Sequence, residues 1–123
     1  GLWDSLGAVI SEMDAETHDQ IFSSVSHLPH LLAYASIQAI ANSEITDALG
    51  HSGAGLKDFS RIASSSPEMW ADIFLENSQN LQVRINTFKN VLNALEDAIR
   101  KKDKQKLREL LAQAKNERDR WMS

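Results

Sequence analysis

Two imidazoles stand three residues apart in the stretch SHLPH, Ser26 to His30, of a chain that has four histidines in all. An imidazole can ligate a metal, move a proton near neutral pH, or donate and accept hydrogen bonds at its two separate nitrogens. Metal binding is poorly served here, because the chain has no cysteine and no carboxylate sits within the motif at a ligand-like spacing. Residues three apart share a helix face, yet Pro29 lies between the two rings and would interrupt that face. His27 and His30 are therefore expected to do different jobs, with one of them packed in a helical turn against a carbonyl.

A second candidate lies in GAGLKDFSRIASSSPEMW, Gly53 to Trp70, which combines glycines with Lys57, Asp58, Arg61 and Trp70. The glycines are no nucleotide fingerprint: they follow no strand, lack the third glycine and precede no Walker lysine-serine pair. Arg61 has Phe59, Ile62 and Ala63 as neighbours, which predicts a partly buried guanidinium seeking a carboxylate or phosphate. Asp58, three residues earlier, could satisfy it internally instead. Trp70 suits either a pocket wall or the core. No G-x-S-x-G, H-E-x-x-H or spaced carboxylate pair points to catalysis within the chain.

These residues must be held by something, and 123 residues with 42% hydrophobic and 24% charged content describe one ordinary globular domain. The lack of cysteine removes disulfides and thiolate zinc sites and suits a reducing, cytoplasmic setting. No apolar run approaches the ~20 residues of a membrane span, so no membrane association is expected. The net charge of -4 conceals an asymmetry: residues 100–120 carry nine of the thirteen Lys/Arg and four of the seventeen Asp/Glu. Because those charges alternate with Leu107, Leu110, Leu111, Ala114 and Trp121 at helical spacing, they read as a solvated helix face, not a nucleic-acid arm.

The periodicity predicts an all-α domain over residues 14–123, after a short helix-strand piece over residues 1–13. Asp14 reads as an N-cap for a helix to about Ser26, and Pro29 as the start of the next. Gly50, Gly53 and Gly55 mark the most flexible stretch, followed by a short helix in LKDFSRIA. Ser66 and Pro67 open one long helix to about Lys101, and Asp103 caps a last helix ending near Trp121. At 1.5 Å per residue the helix from Pro67 would be ~50 Å long, against a diameter of ~35 Å for a compact domain of this size. A second copy packed along it, with two-fold symmetry, is the expected cover.

Taken in order, LWDSLGAVISEMD, HDQIFSSVSHLPHLLAYA, GLKDFSRIASSSPEMWADIFLEN and the Asp103-capped helix resemble the C-terminal part of prephenate dehydrogenases, a family that includes the arogenate and cyclohexadienyl enzymes of tyrosine biosynthesis. The resemblance covers essentially the whole chain. It implies a helical dimerisation domain like the C-terminal one of 6-phosphogluconate dehydrogenase, with residues 1–13 as the end of a nucleotide-binding domain. It also implies that NAD or NADP, and the catalytic histidine, belong to that other domain, so that this chain holds no catalytic, cofactor-binding or metal-binding residue. Ser26, His30 and Arg61 would bind prephenate or arogenate, with Arg61 on a carboxylate. Asp58 and Trp70 would lie near a pocket, contributed from a neighbouring subunit, and His27 would support from behind. Relatives often carry glycine and phenylalanine where this chain has Ala54 and Leu56. A helical dimer without any ligand is the alternative, and the presence of SHLPH and Arg61 weighs against it.

Overall fold

The computed structural model describes residues 14–123, and all regular structure within them is helical. The helix-strand piece expected over residues 1–13 lies outside the described residues. Helix α1, Ala15–Phe22, starts where Asp14, in extended conformation, accepts a hydrogen bond from the Thr17 amide at 2.8 Å. This places Glu16 in the positive first turn.

The chain does not stop near Ser26. It continues through a π-helical turn, Ser23–His27, into α2, Leu28–Ala41. Pro29 supplies the reason. Inside an α-helix its ring would press on the carbonyl four residues back and leave that carbonyl without a donor. A wider turn relieves this, and the Leu28 amide accordingly reaches back five residues to Ser23 O. Ser23 is fully buried and spends its hydroxyl on Gln20 O at 2.6 Å.

Past α2 the chain turns through residues 42–53, with a single 3-10 turn at Leu49–His51. None of the described glycines uses a positive φ; Asp47 and Lys102 do. Gly53 is the N-cap of α3, Ala54–Ser60, and Gly55 lies inside that helix, so the glycine stretch is a helix start and not an open loop. A 3-10 turn, Arg61–Ser64, extends α3. Both pack on α2, and Tyr34 of α2 donates its hydroxyl to Ser65 O at 2.8 Å.

Helix α4, Pro67–Glu76, opens as its sequence predicts, with Ser66 accepting from the Met69 amide. The predicted continuous helix to Lys101 is broken, however, at Asn77, which has φ -116° and ψ 32°. Helix α5, Ser78–Arg100, then runs 23 residues, or ~34 Å. It ends in a Schellman arrangement: Asp103 N donates to Ala98 O at 2.9 Å and Lys102 N to Ile99 O at 3.0 Å, with Lys102 at φ 55°. Asp103 caps α6, Lys104–Met122, through the Lys106 amide.

By contacts the chain forms two units, divided at Arg84 and Ile85. The first carries α1 to α4 and SHLPH. The second is the hairpin of α5 from Ile85 onward with α6, whose charges pair locally in sequence: Lys101 and Arg100 with Asp97, Lys115 with Asp119, and Arg120 with Glu117. That is the solvated face the basic C-terminal stretch predicts.

Candidate functional site

Trp70, on α4, is the centre of an aromatic cluster. Its indole is buried and stacks on the His30 imidazole, with centroids 3.7 Å apart and planes 17° from parallel. His27 meets the same indole edge-on at 6.2 Å and 78°, and Phe74, one helical turn beyond Trp70, flanks it at 5.6 Å. His27 and His30, three residues apart, both meet the one indole, so Pro29 does not interrupt the face they share as its position between them predicted.

His30 is held from its own helix. Its Nδ1 lies 2.8 Å from Ser26 O, and since a carbonyl only accepts, Nδ1 carries the proton and donates. In the neutral ring Nε2 is thus left with a lone pair, fit to accept from a hydroxyl. Ser26, half-buried, contributes to this arrangement through its carbonyl.

His27 sits in a different environment. Burial holds its pKa below the ordinary 6.5; the negative charge of Asp19 opposes the shift, and His30 and His18 reinforce it. Asn77 is the residue that the sequence reading missed. It is buried, and its Nδ2 lies 2.8 Å from Asp19 O and 3.2 Å from His27 Nδ1. The signal was present: Ile73, Asn77 and Leu81 fall four apart on one helix face, where an amide among apolar residues asks for partners.

Arg61 departs from expectation. Its side chain is exposed, as is that of Asp58, and neither forms an ion pair among the described residues. The neighbours assumed to enclose the guanidinium do not: in the 3-10 turn Ile62 and Ala63 turn inward, while Phe59 stays about half exposed, at 49%. The structure thus gathers Ser26, His27, His30 and Trp70, and leaves Asp58 and Arg61 at the surface of the segment packed on α2. Trp70 makes its stack within its own chain. Among the described residues no three His, Asp or Glu side chains are grouped to hold a metal ion.

An all-α domain with an imidazole-indole cluster at a π turn is the class these features define. The family model for the prephenate dehydrogenase dimerization domain matches residues 14–113, and the chain belongs to that family. It is 36% identical over 104 residues to the cyclohexadienyl dehydrogenase of Zymomonas mobilis, covering 82% of this chain and 36% of that one. It is 33% identical over 110 residues to the prephenate dehydrogenase of Bacillus subtilis, covering 88% and 30%. The chain thus spans about a third of the length of these relatives. Among solved structures, the prephenate dehydrogenase of A. aeolicus in complex with hydroxyphenyl propionate and NAD+ superposes with a TM-score of 0.81 at 40% identity, over 88% of this chain and 38% of that one. Synechocystis arogenate dehydrogenase superposes at 0.79 with 28% identity, over 85% and 39%.

Proposed function

We propose that this chain is the substrate-binding and dimerisation part of an NAD(P)-dependent prephenate or arogenate dehydrogenase, a cytoplasmic enzyme of tyrosine biosynthesis that converts prephenate to 4-hydroxyphenylpyruvate. The observation that carries this reading is the 40% identity and close superposition with the A. aeolicus enzyme, solved with the aryl carboxylate hydroxyphenyl propionate. An aryl acid asks for a polar group at the ring hydroxyl and a cation at the carboxylate. His30, with a lone pair at Nε2 and its ring fixed on Trp70, suits the first role. Arg61, exposed and without an ion-pair partner among the described residues, suits the second. Ser26 holds His30, while Asp58 lies one helical turn from Arg61.

The nicotinamide cofactor is assigned to a separate domain. Gly53 and Gly55 open a short helix after no strand, which does not fit a dinucleotide phosphate cradle. This chain therefore supplies binding and orientation, and no hydride step is derived from its residues.

The test is kinetic, in the intact dehydrogenase carrying this domain. Arg61→Ala should raise the prephenate KM and lower kcat/KM by roughly ten- to a hundredfold, the worth of one charge-assisted contact. The nucleotide KM should hold. Arg61→Lys should recover part of the loss, since an ammonium lacks the planar fork. An unchanged prephenate KM would remove Arg61 from the site. This chain alone should produce no NADH from prephenate and NAD+, and turnover would overturn the division of labour.

A further inference from the structure

We propose that Asn77 is a positioning residue for the aromatic cluster: it clasps the π turn, fixes His27 as the tautomer protonated at Nε2, and so keeps Trp70 stacked on His30. The inference about the pocket rests on the proposed function; the inference about the tautomer does not.

The argument starts from a group whose hydrogen-bonding role is fixed. Asp19 O is a carbonyl and can only accept, so the side-chain atom of Asn77 that faces it at 2.8 Å is the amide nitrogen. The reverse orientation would set two acceptors against each other. The same nitrogen has a second hydrogen, and His27 Nδ1 stands 3.2 Å away. That hydrogen needs a lone pair, so Nδ1 is unprotonated and the imidazole proton sits on Nε2. The amide oxygen is satisfied in turn by Asn80 Nδ2 at 2.9 Å. One main-chain carbonyl thereby determines the amide orientation, and the amide determines the imidazole.

Asp19 lies in α1 and His27 closes the π turn, so the two bonds from one nitrogen span the whole widened turn. Asn77 itself stands at the break between α4 and α5. It joins the helix that carries the indole to the turn that ends at His27, three residues before His30 in α2. The ionisable groups acting on His27 are Asp19, His30 and His18, all on its own helical run. None competes for Nδ1 as a donor. A packing role alone would need only an apolar side chain at position 77, whereas the clasp needs a donor facing two acceptors.

Histidine ring protonation in the 15N-labelled chain, read from long-range 15N–1H correlations near pH 7.5, tests the clasp directly. His27 should carry its proton on Nε2 and His30 on Nδ1. A proton on His27 Nδ1 in the unsubstituted chain would overturn the proposal, and this reading needs no variant to fold. Asn77→Asp keeps the shape but offers only acceptors. It should convert His27 to an imidazolium with a pKa above 6.5, reversing the present direction; a still-lowered pKa in the folded variant would also overturn the clasp. In the intact dehydrogenase, Asn77→Asp should raise the prephenate KM by roughly tenfold at constant nucleotide KM. The expected His27 tautomer with an unmoved prephenate KM would overturn the pocket role. An unsubstituted enzyme that ignores prephenate would instead overturn the proposed function, while the ring protonation could still be read.

Discussion

An imidazole reads its surroundings through two nitrogens, and the two rings of SHLPH face partners of different kinds. His30 donates to the carbonyl of its own Ser26; His27 meets an amide fifty positions along the chain. The sequence reading separated their roles by the proline between them; the structure gives the two rings different hydrogen-bond partners but sets both on the one indole of Trp70. The place of Asn77 between Ile73 and Leu81 was legible, but its partners Asp19 and His27 were not, because a long-range partner leaves no trace in local spacing. The expected burial of the Arg61 guanidinium fails for the complementary reason: its apolar neighbours in sequence point elsewhere in space. The environment of His27 has a pH consequence. Its folded pKa lies below the ordinary 6.5 because burial disfavours the charged ring, so between the two values the unfolded chain binds more protons. The stability this group contributes is present above pH 6.5 and is lost as pH falls through the lowered folded value. Melting temperature should therefore decline as pH falls from 6.5 to the lowered folded value, and His27 should add no further loss below it. His27→Gln, which keeps an acceptor for Asn77, should flatten the decline; an equal slope in both proteins would show that His27 does not drive it.

Element boundaries were legible where a side chain caps its own helix. Asp14, Ser66 and Asp103 each take the amide three residues on, and each was expected to. Boundaries set by other means were not. The π turn arises from Pro29 acting on carbonyls before it, and the break at Asn77 from a side chain engaged with α1, where periodicity alone continues smoothly. The Schellman turn at Lys102 was hidden because its left-handed position, which usually holds glycine, holds lysine. A side chain with a Cβ costs ~1–2 kcal/mol in that conformation. Lys102→Gly should therefore stabilise the hairpin by about 0.5–1 kcal/mol after the extra freedom of the unfolded glycine is discounted, raising the melting temperature by a few degrees. Lys102→Ala, which keeps the Cβ, should give no such gain. Equal melting temperatures for the two variants would show that backbone strain is not stored there.

For the molecule as a whole, the sequence argument for a partner rested on a ~50 Å helix that the structure divides at Asn77. The requirement for cover survives on other ground. Among the described residues only Ala33, Trp70, Leu81 and Ala98 form buried apolar core, while Val91, Leu92, Ile99 and Leu111 of the α5–α6 hairpin are each more than half exposed. Val91 and Leu111 line one groove with Ala94, Leu95, Leu110 and Ala114. Apolar surface of this kind is normally removed from water by another protein surface, and the family is one of dimerization domains. Leu111 offers a clean test because its exposure in the single chain, 54%, lets an aspartate there stay solvated. In a dimer that buries this groove, the same aspartate would be an unpaired charge out of water. Sedimentation should give twice the chain mass for the unsubstituted protein and a single mass for Leu111→Asp, with helical circular dichroism retained. Leu81→Asp, at a site only 5% exposed, should instead lose helical signal, because its charge has no solvated position even in one chain. A Leu111→Asp protein that remains dimeric would move the interface off the hairpin groove, and an unsubstituted chain that sediments as a monomer at micromolar concentration would remove the dimer itself.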